Sequence, residues 1–453
     1  MSMTEAKRSE ERAARQARWQ QKQKVTFRYA ECHIGPHNNI STSRLPNAQI
    51  LRQWSHGNDT RLGEYYAGIY LTSSYVYHDH VSVLFTSKSL YGKKVYCRYF
   101  DCKMQEIMDP FETIVFPEST ALCARRRGAE YMSLSFTQEE KAQYPVKLVD
   151  RTGGYKHEFT VCVAPLHGTE PKWLQLIEFF EYYKLMGVTK FFVYVVEVED
   201  YTRKVINDYL RTNDIEVIYL FDNYWGINFN WHRNSIFECM QRAKHYSKWT
   251  ASIDLDERIT MNSSSKFPRI IDFLRSETDP SVISHQFKIQ WVQKTEDYPP
   301  KYIDDEQVLS EVVYRKYHLT SQMGEQYEQQ KAIVRADKIG SMSIHYPNLL
   351  YPGTWRKPVP TEIAWIRHYR QTKTGSNEFE RAMMMKHAPF YHSNIDPVVD
   401  ATLSKAILER TRFVYKDQTP PPCETQQMWY RLWDLDAPCW KKYQEKYNET
   451  LTS

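Results

Sequence analysis

The sequence has no long hydrophobic run, and this absence bears first on membrane insertion. A membrane-spanning helix needs roughly 20 apolar residues, whereas the longest apolar run, Phe191 to Val196, has only the length of a strand. The segment from Met1 to Lys24 is charged and lacks the apolar core of a signal peptide. We therefore expect neither a transmembrane anchor nor a signal peptide in this chain.

Several short motifs are also missing. None of the 8 cysteines belongs to a Cys-x-x-Cys pair, so a structural zinc site of that type is not expected. There is no Gly-x-x-x-x-Gly-Lys-Ser/Thr loop and no Gly-x-Gly-x-x-Gly after the first α/β strand, which disfavours nucleoside triphosphatases and dinucleotide enzymes. The net charge is only +5 and the basic residues are spread along the chain, so we expect no nucleic-acid partner.

The cysteines and the glycosylation sequons bear on the cellular compartment. The even cysteine count permits disulfides, and we expect pairing among the cysteines outside the central region. Cys162 and Cys239 lie in predicted core elements and are expected to be buried thiols. Asn-x-Ser/Thr sequons, which favour the secretory pathway, occur at Asn39, Asn58, Asn262 and Asn448.

The residues that are present change in pattern along the chain, and we predict four segments. Residues 1–57 are predicted to form an irregular or disordered arm. Residues 58–155 are predicted to form a β-rich domain, since Tyr, Val, Thr and Phe recur there with polar interruptions. The stretch "DRTGGYKHE" marks the linker. Residues 156–400 form the main predicted domain, and residues 401–453 form a C-terminal extension.

Short strands alternate with amphipathic helices in the main domain. The strand Phe159–Val163 is followed by the loop "APLHGTEP" and by a helix predicted from Lys172 to Met186, whose apolar residues form one stripe. The strands "KFFVYVV", "IEVIYL" and "WTASI" then alternate with the helices "YTRKVINDYLRTND" and "WHRNSIFECMQRAKHY". This order predicts an α/β fold with a mostly parallel sheet flanked by helices, in which ligands bind at the carboxyl ends of the strands.

An acidic cluster follows the strand Trp249–Ile253 and consists of Asp254, Asp256 and Glu257. In an extended segment Asp254 and Asp256 point to the same side, and converging carboxylates repel each other unless a cation or a shared proton intervenes. Mg²⁺ or Mn²⁺ is the natural partner, because these ions take oxygen ligands and leave positions open for phosphate. The position after a buried strand favours a metal site over a solvated acidic turn.

Several stretches together resemble glycosyltransferase family 92, a family with a GT-A-type fold. They are "FTVCVAPLHGTEPKWLQLIEFFEYYKLMGVTKFFVYV" followed by "IDLDE", then "KAIVRADKIGSMSIHYP" and "IRHYR". The β-rich stretch "GIYLTSSYVYHDHVSVLF" is similar to the N-terminal part of the family, so the resemblance covers roughly residues 65–390. Two features depart from it: Ala336 replaces the usual Pro after Lys-x-Ile-Val-Arg, and the membrane anchor typical of Golgi members is missing.

The resemblance implies a chemistry as well as a fold. It implies the transfer of a sugar, typically galactose, from a UDP-sugar donor with inversion, and Mn²⁺ (or Mg²⁺) as cofactor. Asp254 and Asp256 would hold the metal against the diphosphate of the donor. The acceptor would be a glycan on a glycoprotein or glycolipid, and the location would be the Golgi in the secretory pathway. Membrane association would then need a partner or an anchor that this chain lacks.

Further residues are assigned to the same site. His345 is expected to complete the metal shell, with His368 as the rival ligand. Asp297, which follows the predicted strand "SVISHQFKIQWV", is expected to be the catalytic base, and Trp291 an acceptor-sugar platform. Lys172 could equally cap its helix, and Asp297 could lie in a solvated loop. The nucleotide-sugar is expected to contact Ala164, Pro165, Leu166, Lys172, Asp222, Arg233, Asn234, Asp254, Leu255, Asp256 and Arg370.

Two other functions stay open at this point. The first is a GT-A-like carbohydrate-binding protein without turnover, although such a surface has no need of two mutually repelling carboxylates. The second is a phosphoryl- or nucleotidyl-transferring α/β enzyme that uses the same acidic cluster. A UDP-sugar hydrolysis assay with and without Mn²⁺ separates these two from a glycosyltransferase.

Overall fold

A computed structural model of the chain describes residues 35–42, 70–86, 90–117, 119–142, 145–168, 170–220, 229–371 and 378–417. These residues belong to the same structural unit, so the boundary predicted at residue 155 remains a prediction. Among them, no helix has the length and the apolar character that a membrane crossing requires.

The first sheet is formed by residues 70–150, where the sequence predicts a β-rich domain. Its strands follow the order β4-β3-β6-β7-β1-β2-β5. Alternate residues of one strand face opposite sides, since Val83 and Phe85 enter the core of this sheet while Leu84 packs against Phe237 of a later helix. The strands are β1 (Tyr70–Val76), β2 (Val81–Thr86), β3 (Lys94–Phe100), β4 (Phe111–Ile114), β5 (Thr120–Cys123), β6 (Tyr131–Ser135) and β7 (Val146–Asp150).

Strands and helices alternate after residue 157, as the sequence predicts. The helices are α1 (Trp173–Leu185), α2 (Asp200–Arg211), α3 (Phe229–Ala243), α4 (Ile270–Arg275), α5 (Asp305–Glu311), α6 (Val313–Lys316), α7 (Glu378–Met385) and α8 (Pro397–Arg412). The strands are β8 (His157–Leu166), β9 (Lys190–Val195), β10 (Ile215–Tyr219), β11 (Ser247–Ile253), β12 (Glu257–Met261), β13 (Val282–Phe287), β14 (Ile289–Lys294), β15 (Leu319–Met323), β16 (Lys331–Val334), β17 (Ile339–Met342), β18 (Pro347–Leu350), β19 (Trp355–Pro358), β20 (Ala364–Gln371) and β21 (Tyr391–His392). Short 3₁₀ turns occur at Pro36–Asn38 and Ala336–Lys338, and a π-helical turn occurs at Phe413–Asp417.

The main sheet has the order β10-β9-β8-β11-β16-β13-β19. Strands β10, β9, β8 and β11 are mutually parallel, whereas β16 runs antiparallel to both β11 and β13. The expected fold class, α/β with flanking helices, is confirmed, and the layout is consistent with a GT-A-like fold. The parallel order holds for the first half of the sheet, and the second half is mixed because β16 returns across the sheet in the opposite direction.

Helices cover both faces of the main sheet. Along β8, Val161 and Val163 pack with α1 in one core cluster, while Cys162 packs with α3 in another. This follows from the two-residue period of a strand, which turns successive side chains to opposite faces. The near-continuous apolar run of β8 in the sequence reflects this burial on both sides.

A second sheet, of order β12-β20-β14-β15-β21, meets the main sheet at the acidic cluster. The chain leaves the main sheet at the end of β11 and enters the second sheet at Glu257, the first residue of β12. Strand β12 pairs antiparallel with β20, so that Glu257 lies opposite His368. The turn between β11 and β12 is therefore fixed by both sheets, at the carboxyl edge of the parallel strands.

Two strand boundaries differ from the sequence-based expectation. Strand β8 continues through Leu166, so Ala164 to Leu166 end a strand and do not belong to the following loop. The stretch "SVISHQFKIQWV", expected as one strand, is divided at Lys288 into β13 and β14, which belong to different sheets. Residue 400 lies within α8, whose Leu403 and Ile407 are buried in the main core, and the domain boundary predicted there remains a prediction.

The expectation that Cys162 and Cys239 are unpaired thiols is wrong, because they form a disulfide between β8 and α3. The expected pairing outside the central region is confirmed by Cys97–Cys123 in the first sheet. Cys102 is disulfide-bonded as well. Cys162 and Cys239 are far apart in sequence and meet only where the strand packs against the helix. The spacing of the cysteines alone could therefore not predict this pair.

Candidate active site

The acidic cluster forms a tight turn at the end of β11. The backbone N–H of Glu257 donates to the carbonyl oxygen of Asp254 at 3.0 Å, and the Asp254 N–H donates to the Glu257 carboxylate, also at 3.0 Å. The side chain of Glu257 is buried and is occupied in closing the turn. Burial raises the pKa of Glu257 to about 7, although the Lys331 ammonium opposes this rise. Asp254 and Asp256 are thus left to face outward from the turn.

A buried guanidinium supports the turn from below. Nη1 of Arg258 donates to the carbonyl oxygens of Leu255 and Glu257 at 2.8 and 2.9 Å. Nη2 of Arg258 lies 3.6 Å from Oε1 of Glu178, which is also buried. The pair borders a cavity of about 30 Å³. Because Arg258 binds two carbonyl groups of the same turn, it fixes the backbone that carries both aspartates.

Lys331 neutralises one side of the cluster. This lysine begins β16, is 1% exposed, and places Nζ 2.8 Å from Oδ2 of Asp254 and 3.3 Å from Oε2 of Glu257. Burial alone would raise the pKa of Asp254, but the Lys331 ammonium and the neighbouring His232 hold it well below its usual range. The Asp254 carboxyl group is therefore ionised at neutral pH.

His368 and Arg370 balance the charge on the other side. Nε2 of His368 lies 3.2 Å from Oδ2 of Asp256, and Nη1 of Arg370 donates to the same oxygen at 3.5 Å. Burial alone would raise the pKa of Asp256, but His368 and Arg370 lower it to about 2. Both groups come from β20, whose register opposite β12 places them beside the turn.

Two further histidines belong to the surroundings of Asp254, His232 by direct contact and His345 by its electrostatic influence. Nε2 of His232, near the start of α3, is 3.2 Å from Oδ1 of Asp254. Nδ1 of His345 lies 3.1 Å from the carbonyl oxygen of Gln330 and must donate to it, since a carbonyl only accepts. Burial, together with Lys331, lowers the pKa of His345 to about 4. His345 is therefore neutral at neutral pH, with a lone pair on Nε2.

A sequence model of glycosyltransferase family 92 matches residues 157–407, which is more than half of the chain. The chain belongs to glycosyltransferase family 92. No curated protein matches the sequence. The matched segment of this family 92 protein contains the acidic turn and every basic group that contacts it among the described residues.

Solved structures that are similar to this family 92 chain include three bacterial and archaeal proteins. HddC from Yersinia pseudotuberculosis is 14% identical, with 51% of this chain and 100% of that chain covered and a TM-score of 0.24. The mannosyltransferase PcManGT from Pyrobaculum calidifontis, in complex with GDP-Man and Mn²⁺, is 10% identical, with coverages of 57% and 74% and a TM-score of 0.27. TarS (1–349) from S. aureus is 10% identical, with coverages of 57% and 72% and a TM-score of 0.26. The assignment rests on the family match.

Three of the predicted donor-binding residues, Ala164 to Leu166, lie at the carboxyl edge of the main sheet, where the acidic turn is also located. Strand β8 is parallel to β11, with Val163 beside Ile253, so Ala164 to Leu166 end near the turn. The carbonyl oxygen of Leu166 accepts the N–H groups of Val196 and Glu197. This backbone occupies one side of β11, whereas β16 with Lys331 occupies the other side.

Other predicted donor-binding residues have local partners. Nζ of Lys172 donates to the Glu170 carboxylate at 2.9 Å, immediately before α1. Arg233 extends over the ring of Phe237 one turn further along α3. Asn234 is buried, and its Oδ1 has no hydrogen-bond donor among the described residues. Asp222 lies outside the described residues. The roles of these side chains remain predictions.

The residues predicted for the acceptor side have different surroundings. Asp297 is exposed after β14 and accepts a hydrogen bond from Nε2 of Gln371 at 3.0 Å. Trp291 is 1% exposed and stacks on His368, with ring centroids 4.8 Å apart. A ring buried in this way cannot stack on a sugar, so Trp291 does not fit the expected acceptor platform and instead supports the imidazole beside Asp256.

Three residues that contact the turn were missed by the sequence analysis. They are His232, Arg258 and Lys331. Each had a signal in the sequence: His232 precedes the proposed donor contact Arg233, Arg258 follows the acidic cluster directly, and Lys331 opens the "KAIVR" run. None could be assigned, because a basic residue next to a motif is far more often a surface charge.

The residues around the turn fit a divalent ion by their donor chemistry. Among the described residues, no three His, Cys, Asp or Glu side chains already converge as a ligand set. Asp254 and Asp256 offer ionised oxygens, and His345 has its tautomer fixed by Gln330 with Nε2 available, as in histidines that bind metals. Nε2 of His232 is buried and lies 3.2 Å from Oδ1 of Asp254. Mixed oxygen and imidazole donors suit Mn²⁺ better than Mg²⁺.

Proposed function

We propose that this glycosyltransferase moves a sugar, galactose, from a UDP-sugar to a hydroxyl group of a glycan acceptor, with inversion and with Mn²⁺ as cofactor. The observation that carries the proposal is the pair of ionised aspartates on a rigid turn, at the carboxyl edge of a parallel sheet. The turn is fixed by Arg258 from below and by β20 from the side. Such an edge is where α/β sheets bind their ligands.

Each side chain of the site has its own proposed role in the reaction. Asp254 and Asp256, with His345, would hold the ion, and a bound Mn²⁺ would neutralise charge that develops on the departing diphosphate. Arg370 lies beside Asp256 and would donate to the diphosphate oxygens. Asp297 would accept the proton of the acceptor hydroxyl as its oxygen bonds to the sugar carbon, while the bond to UDP breaks and UDP leaves with the electron pair. His368 stays bound to Asp256 and orients it.

The disulfides support a location in the secretory pathway, and we propose the Golgi, with a glycoprotein or glycolipid acceptor. Cys97–Cys123 and Cys162–Cys239 are buried pairs. Such bonds form and persist in oxidising compartments. Non-reducing peptide mapping of the protein purified from Golgi membranes and from cytosol tests this, since a reduced protein found only in the cytosol contradicts it.

The binding of UDP tests the proposed function directly. We expect UDP to bind in the presence of Mn²⁺ and to bind weakly in EDTA. Asp256→Asn should weaken Mn²⁺-dependent UDP binding by about 100-fold or more, since even groups behind a ligand contribute 10–100-fold. The matched control is Asp200→Asn, on the exposed first turn of α2. Titration calorimetry gives the affinities, and thermal melting confirms that both variants are folded.

Turnover separates the function from its alternatives. Hydrolysis of UDP-galactose with Mn²⁺, faster than that of UDP-glucose or UDP-N-acetylglucosamine, supports the proposed donor. Binding without hydrolysis or transfer supports a carbohydrate-binding protein instead. Unchanged Mn²⁺-dependent UDP affinity in Asp256→Asn contradicts the assignment of the metal site.

A further inference from the structure

Two tyrosines lie on the surface, in the loops that precede Lys331 and follow His345, and have no role in the site described above. Tyr327 is 51% exposed, and Tyr346 is partly exposed. Their rings meet edge to face with centroids 6.5 Å apart. The guanidinium of Arg356 lies 6.0 Å from the Tyr327 ring and 5.4 Å from the Tyr346 ring. We call Tyr327, Tyr346 and Arg356 the tyrosine shelf.

The loops that carry the shelf also carry residues of the site. Tyr327 lies in the loop before β16, whose first residue, Lys331, contacts Asp254. Tyr346 lies in the turn between β17 and β18, directly after His345. The loops are joined by Gln330, whose carbonyl oxygen accepts from His345. A molecule on the shelf would therefore lie next to the groups around Asp254.

The backbone under Tyr327 is held in an unusual conformation. Tyr327 has φ +73° and Gln329 has φ +39°, a region that side chains other than glycine adopt at a cost. Gln330 holds this loop, because its Oε1 accepts from Nε2 of Gln326 at 2.8 Å and from the N–H of Tyr327 at 3.3 Å. Its Nε2 donates in turn to Oε1 of Gln286 at 3.0 Å, and both glutamines are 0% exposed. Buried hydrogen bonds thus fix an exposed aromatic side chain, which is typical of a binding position.

The order of the strands places the shelf across the acidic turn from the predicted nucleotide contacts. In the main sheet, β8 lies on one side of β11 and β16 lies on the other. The proposed nucleotide contacts at Ala164 to Leu166 end β8, so the shelf, which precedes β16, lies across the turn from them. An acceptor must approach the sugar from the side opposite the departing UDP for inversion to occur.

From these observations we propose that the tyrosine shelf binds a sugar ring of the acceptor glycan. The proposal rests on the proposed function and adds the position of the acceptor, which Trp291 cannot provide. A pyranose has an apolar face of C–H groups and a rim of hydroxyls. Tyrosine matches both, with an apolar ring and a polar hydroxyl, and Arg356 offers further donors to the rim.

The test separates acceptor binding from donor chemistry. The unmodified full chain is first assayed with UDP-galactose and Mn²⁺ on a printed array of N-glycans, O-glycans and glycolipid headgroups, and the glycan with the largest incorporation becomes the acceptor probe. Tyr327→Ala and Tyr346→Ala are then compared with Tyr391→Ala, a control at another exposed tyrosine on β21. We expect each shelf variant to raise the KM for the probe by about 10-fold, as loss of an aromatic contact does, and the control to leave it unchanged.

Measurements of donor binding and donor hydrolysis on the same variants distinguish a wrong assignment of the shelf from a wrong proposed function. The Mn²⁺-dependent affinity for UDP and the rate of UDP-galactose hydrolysis should be unchanged in both shelf variants. Equal KM values for unmodified chain and shelf variants contradict the shelf while leaving the proposed function intact. An array with no transfer and no binding to the unmodified chain also contradicts the shelf, and UDP binding then tests the proposed function on its own. Loss of UDP binding in a shelf variant contradicts the acceptor assignment, because the shelf would then belong to the donor site.

Discussion

At the scale of single residues, the pKa values of His345 and His368 are shifted in opposite directions, and this bears on which of them suits a metal. Burial alone would lower the pKa of His368, but the carboxylates of Asp256 and Glu257 raise it. A raised pKa favours the form of the imidazole that carries both protons, and that form has no lone pair to offer a metal. His345, by contrast, is neutral with Nε2 available. The charge environment therefore favours His345 as ligand and His368 as the partner that orients Asp256.

A comparison of histidine variants tests this division. His345→Ala should weaken Mn²⁺ binding in the presence of UDP by about 10–100-fold, since it removes a direct donor. His368→Ala should weaken it less, because Asp256 keeps Arg370. Electron paramagnetic resonance of free Mn²⁺ gives the affinities without an activity assay. The exposed His392 on β21 supplies the control His392→Ala.

The reverse ranking would identify His368 as the ligand. If neither variant changes the affinity, His232→Ala is the decisive measurement, because Nε2 of His232 lies 3.2 Å from Asp254. If that variant also binds Mn²⁺ normally, water completes the shell and the imidazole assignment is wrong.

At the scale of elements, the Cys162–Cys239 disulfide joins the strand and the helix that flank the site. Strand β8 leads to the predicted donor contacts, and α3 carries His232 near its start. The bond closes a longer segment than Cys97–Cys123 does, with sequence separations of 77 and 26. A longer closed segment restricts the unfolded chain more, so the bond between β8 and α3 should stabilise more.

Paired alanine variants measure this contribution. Cys162→Ala/Cys239→Ala should lower the free energy of unfolding by about 4 kcal/mol, about 1 kcal/mol more than Cys97→Ala/Cys123→Ala does, from chain entropy alone. Urea unfolding under non-reducing conditions gives both values. Only the first pair should also weaken Mn²⁺-dependent UDP binding. Equal losses of UDP affinity in the two pairs would show that the bond has no specific effect on the site.

At the scale of the whole molecule, a buried polar network joins the first sheet to the α/β layer. The hydroxyl groups of Tyr75, from β1, and Tyr194, from β9, both donate to the carboxylate of Glu238 on α3. Arg242 donates to the same carboxylate at 2.7 Å. Burial alone would raise the pKa of Glu238, but Arg242 and the two tyrosine hydrogen bonds lower it below its usual value. The first sheet is thus coupled to the helix that carries His232.

Because the pKa of Glu238 is lowered in the folded state, we expect this group to make the protein less stable as the pH falls. A carboxyl group with a lower pKa in the folded state contributes stability that is present above its unfolded pKa, about 4.3, and is lost as the pH falls through the folded pKa. Glu238→Gln should lower the free energy of unfolding at pH 7 by about 3 kcal/mol, because Arg242 loses a buried partner. The same variant should lose less stability than the unmodified chain between pH 5 and pH 3.

The control for this prediction is Glu158→Gln, which removes the exposed pair with Arg275. It should change the free energy of unfolding by less than about 1 kcal/mol, as surface pairs do. Urea unfolding at several pH values gives all three curves. Parallel curves for the unmodified chain and Glu238→Gln would contradict the assigned shift.

Local sequence patterns predicted much of the fold and the centre of the site. The helix predicted from Lys172 to Met186 is α1, Trp173–Leu185, because its apolar stripe repeats within a few residues. The turn with Asp254 and Asp256 was located by the strand that precedes it. The partners of the turn were not located: Lys331 lies 77 residues from Asp254, and His368 lies 112 residues from Asp256.

The sequence by itself thus determined the alternation of strands and helices, and the place of two aspartates after a buried strand. Both features depend only on residues that are neighbours in the chain. Only the tertiary structure decided which basic groups meet these carboxylates. A shift of one residue between β12 and β20 would turn His368 to the opposite face. The same sheet contacts decided that Cys162 meets Cys239, and that Trp291 is buried under His368 while Tyr327 is exposed. These contacts depend on the register between strands that are distant in sequence, so no short stretch of the chain could predict them.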